Sequence, residues 1–196
     1  MSNIRETPLT RPSLAELDEM INVSKQKKEV KKSVKGTIAV LIVVAAVVTL
    51  VLTLWLPVVQ VAKSSMMPTL SDGDVIFFSS IGNIKRGDVV AFYFGRELLI
   101  KRVIAVEGEW VNIDADGIVY IDDEPLDEEY VMELDRGELT VGLPLQVPSN
   151  SYFVMGDFRA ISLDSRSKEI GVVHRDQIEG KALVRVWPAN KVGAVK

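Results

Sequence analysis

The chain has 196 residues and a formal net charge of −4, and it contains one histidine and no cysteine. The lack of cysteine excludes disulfides, thiol nucleophiles and thiolate metal sites. With one histidine and no carboxylate cluster of recognisable spacing, we expect no metal and no cofactor. The mildly acidic balance gives no reason to expect nucleic acid as a partner.

The first predicted element is a transmembrane anchor over residues 36–57. Residues 36–56 are almost entirely Ala, Val, Ile and Leu. Roughly 21 helical residues at 1.5 Å each span about 32 Å, close to the thickness of a bilayer's hydrocarbon core. A cleaved signal peptide is the competing interpretation, but the apolar run is too long and starts too far into the chain. We therefore expect the helix to be retained.

The charges on either side of this span predict its orientation. Lysines crowd the residues just before it, and Trp55 near its far end is typical of a membrane interface. These lysines are Lys25, Lys27, Lys28, Lys31, Lys32 and Lys35. By the positive-inside rule, residues 1–35 form a cytoplasmic tail and residues 58–196 lie outside, in a single-pass protein of the cytoplasmic membrane.

Residues 58–196 are predicted to form one mostly β, antiparallel domain. β-branched and aromatic runs separated by Gly and Asp indicate strands. The runs are residues 75–78, 89–94, 98–106, 111–113, 118–121, 152–155 and 181–187. Asp116-Gly117 between two of them predicts a hairpin. The acidic stretch of about 122–150, which contains three prolines, is interpreted as a small lobe inserted into the main sheet.

Ser65, just beyond the predicted anchor, is a candidate nucleophile. Its neighbour Ser64 is a rival, although strand alternation would direct the two side chains to opposite sides. A serine hydroxyl also needs a base that takes its proton. Lys63 is one candidate base, but its place at the membrane boundary favours an exposed charge or a lipid-phosphate contact.

Lys101 is a second candidate base and His174 a third. The two-residue period of a strand places Lys101 on one apolar face with Leu99, Val103 and Ala105. A lysine there is neutral, paired or reaching for solvent, and burial would favour the neutral amine. His174 follows two valines in what is predicted to be a loop entering a strand, which argues against a catalytic role.

Four sequence boxes in order resemble those of type I signal peptidases. They are Ser65-Met66-Met67-Pro68-Thr69-Leu70 with Gly73-Asp74; Gly87-Asp88-Val89-Val90 with Lys101-Arg102-Val103-Ile104-Ala105; Gly156-Asp157, Arg159 and Ser162-Leu163-Asp164-Ser165-Arg166; and Gly180-Lys181-Ala182 with Arg185 to Pro188. Each box is short, but four in order behind an anchor identify the chain as similar to that family.

The resemblance implies roles for particular residues. Ser65 would attack the scissile carbonyl, its backbone N–H would bind the oxyanion, and neutral Lys101 would accept the proton. A serine at the position of Ser162 would hydrogen-bond the lysine amine. Asp164 and Arg166 would form a supporting ion pair, although the sequence of this segment by itself favours an ordinary polar turn.

This chain also departs from the family pattern. Phe158, Ala160 and Ile161 stand where polar residues are usual, which makes that loop more apolar. Lys63 stands where other members carry a serine or a glycine, so the N–H of Ser65 is the one oxyanion donor that we assign.

The resemblance implies a membrane-bound endopeptidase that removes signal peptides from exported preproteins after small residues at −3 and −1. The substrate would add as an extended strand between the segment before Ser65 and the strand leading into Lys101. Its expected neighbours are Lys63, Ser64, Met66, Leu99 and Ile100. Expected partners are preprotein signal peptides and the phospholipid bilayer, with proximity to the secretion translocon.

Two other functions remain open at this point. One is a serine–lysine protease with a narrow target, such as pilins or its own chain. The other is a non-catalytic, membrane-anchored β domain that serves as an interaction module.

Overall fold

The structure is a computed structural model that describes residues 31–50 and 58–195. The predictions made for Lys25, Lys27, Lys28 and Trp55, and for most of the tail, fall outside the described residues.

Helix α1 (Lys31–Leu50) is long and apolar enough to cross a membrane. Its side chains are exposed all round, as expected of a helix whose apolar surface faces lipid. Thr37 and Thr49 donate their hydroxyl hydrogens to the carbonyls of Ser33 and Ala45, so these polar groups are satisfied within the helix. The helix already includes residues 31–35, which precede the predicted start of the span at residue 36.

The β domain is described separately from this helix. Twelve strands occur among residues 58–195, with two 3-10 turns at Arg175–Gln177 and Ala189–Lys191. The strands are β1 (Val58–Gln60), β2 (Val75–Ser79), β3 (Val89–Phe94), β4 (Glu97–Ala105), β5 (Trp110–Ile113), β6 (Val119–Ile121), β7 (Glu124–Pro125), β8 (Leu145–Gln146), β9 (Ser151–Met155), β10 (Val173–His174), β11 (Ile178–Trp187) and β12 (Gly193–Ala194).

These strands form two antiparallel sheets, which confirms the predicted fold class. The main sheet has the order β1-β2-β11-β3-β4-β9-β10, with β12 paired to β11. The small sheet has the order β7-β6-β5-β8. All seven predicted runs are strands, because their β-branched and aromatic side chains fill the cores beneath a pleated surface.

The small sheet begins at Trp110, earlier in the chain than the predicted lobe at about 122. The predicted hairpin exists, with Ile113 opposite Val119, but it belongs to the small sheet. Its turn needs Gly117, whose φ is +86° and whose Cβ would lie 2.9 Å from the backbone of Asp135. The change in composition near residue 122 therefore marks the middle of the insertion between β4 and β9.

Three apolar clusters hold the β domain together. One joins the small sheet to the ends of β4 and β9 and includes Ile104, Val111 and Phe153. The other two include Met66 with Ile76, and Leu99 with Val103, and they pack against β3 and β4. Strand β4 thus has apolar side chains packed against both of its faces, and this is the environment of Lys101.

Candidate active site

Ser65 lies in a turn that follows β1. The N–H of Met67 donates to the carbonyl of Ser64, and the N–H of Leu70 donates to that of Met66, so the chain coils tightly here. Met66 and Leu70 are fully buried in the core and anchor the turn. Neither Ser64 nor Ser65 lies in a strand, so the predicted alternation does not separate their side chains.

Lys101 lies in the middle of β4, opposite Val90 of β3, and only 2% of it is exposed. Its amine donates a hydrogen bond of 2.8 Å to Oγ of Ser65. Burial lowers the pKa of Lys101 to about 8. The negative charges of Asp164 and Asp157 oppose this shift, whereas the positive charges of Arg166 and Lys63 reinforce it.

The apolar face predicted around Lys101 holds only in part. Leu99 and Val103 pack together in one cluster, as the two-residue period requires. Ala105 packs with a different cluster, next to Ile104. The register with β9 shifts between Val103 and Ala105, and this irregularity ends the alternation.

Asp164 and Arg166 form the predicted ion pair, fully buried and bidentate. The guanidinium donates to the carboxylate at 2.8 and 2.9 Å. Burial acts to raise the pKa of Asp164, but the hydrogen-bonded Arg166 and the N–H of Gly156 hold it below its usual range. Asp164 therefore stays ionised, and its negative charge acts on Lys101.

Ser162 does not make the predicted hydrogen bond to the lysine amine. Its hydroxyl oxygen is buried and has no hydrogen-bond partner among the described residues. It favours the ionised form of Asp164, although no hydrogen bond of good geometry joins the two. The hydroxyl packs against Gly156, and a Cβ at that glycine would collide with it.

The turn at Gly156 also touches the backbone of Ser65. A Cβ on Gly156 would lie 2.6 Å from the carbonyl oxygen of Ser65, so only glycine allows this approach. The N–H of Phe158 donates to the same oxygen at 3.0 Å. The phenylalanine therefore supplies a backbone donor, while its side chain is partly exposed.

Arg102, next to Lys101, forms a second buried ion pair, which was not predicted from the sequence. It makes a bidentate contact of 2.8 and 2.7 Å with Asp157 and donates to the carbonyl of Gly87 and to Oγ1 of Thr69. Oγ1 of Thr69 in turn donates to Asp157 at 2.5 Å. Strand alternation places Arg102 on the face of β4 opposite to Lys101. A guanidinium buried on an apolar strand needs a partner, and this need was the signal that the sequence contained.

The two other candidate bases, Lys63 and His174, make contacts elsewhere and not with Ser65. Lys63 pairs with Glu97 at 2.8 Å, and both side chains are about two-thirds exposed. His174 is more than half exposed and faces Asp176 at 3.7 Å. Within residues 31–50 and 58–195, no group of three or more His, Cys, Asp or Glu side chains could hold a metal ion.

Two grooves meet at Ser65. The first, of about 320 Å³, runs between the segment 59–66 and the start of β4, and it includes Lys63, Met66, Leu99 and Ile100 from the predicted substrate neighbourhood. The second, of about 450 Å³, shares Ser65 with the first and is lined by Ala62, Lys63, Ser64, Ser65, Asp72 and Ile161. The predicted neighbour Ser64 thus lines the second groove.

These contacts allow one kind of chemistry in particular. An amine with a pKa near 8 is substantially neutral in weakly alkaline solution, and a neutral amine can accept a proton from the hydroxyl that it contacts. The hydroxyl then becomes a competent nucleophile toward a carbonyl lying in the grooves. The arrangement can therefore carry out hydrolysis by a serine without a histidine.

Comparisons with known proteins agree with this class of hydrolase. The family profile "Signal peptidase, peptidase S26" matches residues 32–187. Signal peptidase I T of Bacillus subtilis is 34% identical over 149 residues, which are 69% of this chain and 76% of that protein. Signal peptidase I of Leptolyngbya laminosa is 34% identical over 147 residues, 68% of this chain and 70% of that protein. The crystal structure of a signal peptidase I from Enterococcus faecalis V583 has 31% identity and a TM-score of 0.42, covering 52% of this chain and 97% of that one.

The chain therefore belongs to the signal peptidase family, peptidase S26, a family of serine endopeptidases.

Proposed function

We propose that this chain is a type I signal peptidase in which Ser65 is the nucleophile and Lys101 is the general base. The observation that carries the proposal is the 2.8 Å hydrogen bond from the buried amine of Lys101 to Oγ of Ser65. The alternative bases lack this contact, because Lys63 is paired with Glu97 and His174 faces Asp176.

The reaction follows from the charge states. Neutral Lys101 takes the proton of Ser65 as the hydroxyl attacks the scissile carbonyl, and the backbone N–H of Ser65 binds the oxyanion. The lysine then gives the proton to the leaving amine, and water hydrolyses the acyl-enzyme. Asp164 and Arg166 support the lysine through their charges, and Ser162 acts through Asp164.

The substrate is the cleavage region of an exported preprotein. Residues before the scissile bond lie in the groove between segment 59–66 and β4, with small side chains at −3 and −1. Residues after the bond leave through the groove lined by Ser64, Asp72 and Ile161. Both grooves meet at Ser65, so one extended peptide passes the nucleophile.

The proposed organisation is a cytoplasmic tail over residues 1–35, an anchor over 36–57 and an extracytoplasmic peptidase domain over 58–196. The apolar helix α1 and the six lysines within residues 25–35 support this arrangement. Enzyme and preprotein then meet in one membrane, near the translocon that delivers the substrate.

Incubating the full-length protein with a generic preprotein, with and without Ser65→Ala, tests the proposal. Cleavage after a small residue that disappears in the variant supports it. Cleavage of pilins or of its own chain only would indicate a narrow processing protease. Binding without any cleavage would indicate a non-catalytic interaction domain.

A further inference from the structure

The insertion between β4 and β9 is linked to the candidate active site through buried charges. The segment 128–141 runs alongside the loop 156–168 and contacts three fully buried arginines, Arg102, Arg159 and Arg166. We refer to residues 128–141 as the strap.

Glu128 and Tyr130 make the contacts at the start of the strap. The carboxylate of Glu128, 4% exposed, forms a bidentate pair with the guanidinium of Arg159 at 2.5 and 3.1 Å. The hydroxyl of Tyr130 donates to the same carboxylate at 2.8 Å. The ring of Tyr130 lies 4.0 Å from the guanidinium of Arg102, a cation–π contact.

The end of the strap holds Arg166. The guanidinium of Arg166 donates to the carbonyl of Asp135, and its backbone carbonyl accepts from the N–H groups of Thr140 and Val141. Gly137, at φ +59°, leaves room for this guanidinium, since a Cβ there would collide with it.

A continuous chain of contacts then leads from Glu128 to the nucleophile. Arg159, held by Glu128, donates to the carbonyl of Gly156 at 3.2 Å. The turn that starts at Gly156 holds Asp164 through the glycine N–H and holds the carbonyl of Ser65 through the N–H of Phe158. A movement of Arg159 therefore displaces the turn that positions Ser65 and Asp164, and Asp164 is one of the charges that set the pKa of Lys101.

We propose that Glu128, oriented by Tyr130, is a positioning residue that holds the Ser65–Lys101 pair in its reactive geometry through Arg159 and the turn at Gly156. This inference rests on the proposed peptidase function. Its physical basis is that small displacements of reacting groups cost large factors in rate, about 100-fold for 1 Å.

The test compares Glu128→Gln with Glu129→Gln in the full-length protein, using a peptide substrate. Glu129 is the adjacent residue and is exposed, so it controls for the loss of one negative charge in the strap. We expect Glu128→Gln to lower kcat roughly tenfold with KM within about twofold, because the grooves that bind substrate do not include the strap. Glu129→Gln should match the wild type.

A pH profile separates positioning from a simple loss of folded protein. Loss of Glu128 leaves the charge of Arg159 uncompensated, since Arg159 and Tyr130 are the groups that face this carboxylate. Arg159 then no longer holds the turn at Gly156, whose N–H donates to Asp164, and Asp164 is the charge that most raises the pKa of Lys101. A displaced Asp164 therefore disfavours the protonated amine. The ascending limb of kcat/KM should therefore move to lower pH. A smaller amount of folded enzyme would leave the limb in place.

A Glu128→Gln enzyme with unchanged kcat and an unchanged limb overturns the proposal, as does a loss of activity that only follows the folded fraction. If Glu128→Gln does not fold, Tyr130→Phe decides, because it keeps the ring over Arg102 and removes only the hydrogen bond to Glu128. A decrease in kcat of about threefold in Tyr130→Phe supports the inference, and wild-type kinetics overturn it. Absence of cleavage by the wild type would instead contradict the proposed function.

Discussion

The amine of Lys101 lies 2.8 Å from Oγ of Ser65, although 36 positions separate the two residues and only Lys101 belongs to a strand. The turn after β1 brings the hydroxyl to a lysine whose burial lowers its pKa to about 8. The turn therefore sets the position of the hydroxyl, and the burial of Lys101 in β4 sets the protonation state of the amine.

The first prediction concerns the pH dependence of activity. With neutral Lys101 as the proposed base, kcat/KM should rise with pH through an apparent pKa of about 8 in the free enzyme. The proposal gives the exposed His174 no proton transfer, so His174→Ala should leave this limb unchanged. A limb that disappears in His174→Ala would contradict the assignment and indicate a histidine base.

The second prediction concerns Asp164→Asn. Arg166 would lose its charged partner while fully buried, and the free energy of unfolding should fall by about 3–5 kcal/mol. Because the charge of Asp164 raises the pKa of Lys101, its removal should also shift the ascending limb to lower pH. Asp176→Asn, at a position with 82% side-chain exposure, is the control and should change neither quantity.

The same ion pair predicts a dependence of stability on acid. The folded-state pKa of Asp164 is depressed, so its contribution to stability is present above the ordinary carboxylate pKa of about 4 and is lost as pH falls through the folded value. Chemical unfolding between about pH 6 and 3 should show a steeper loss for the wild type than for Asp164→Asn. Parallel curves would mean that Asp164 titrates alike in both states.

Much of this site could be predicted from local pattern, and the remainder depends on long-range packing. The strand containing Lys101 and the pairing of Asp164 with Arg166 follow from β-strand alternation and from the resemblance of short boxes. The turn at Ser65 and the Ser162 hydroxyl, which lacks a hydrogen-bond partner among the described residues, depend on how the loop at Gly156 packs. The local sequence pattern does not predict this packing. The positioning role proposed for Glu128 could not be predicted from the sequence, because Glu128 is one of many acidic residues in the insertion. Only the folded chain places it against Arg159.

The third prediction concerns Ile161, a departure from the family that lines the second groove. Ile161→Asn should lower kcat/KM by about tenfold for peptides with an apolar residue at +1 or +2, relative to peptides without one, because an apolar contact is lost. Preferences at −3 and −1 should not change. Leu163→Asn is the matched control, since Leu163 is exposed in the same loop and lines neither groove. Equal effects of the two variants would place the residues after the scissile bond elsewhere.

The fourth prediction concerns membrane topology. The lysines within residues 25–35 should face the cytoplasm and residues 63–196 should lie outside, by the positive-inside rule. Protease added to intact protoplasts should digest the β domain and spare the tail. Digestion of the tail alone would invert the orientation and remove processing of exported proteins as the function.

The most direct test of the account is the activity of Lys101→Arg. The guanidinium keeps the positive charge and much of the length of the side chain, but it stays protonated and cannot accept the proton of Ser65. We predict a folded protein without detectable cleavage of a preprotein between about pH 7 and 10, as for Lys101→Ala. Cleavage by Lys101→Arg above a few per cent of the wild-type rate would show that another group, with Lys63 the first to examine, is the base.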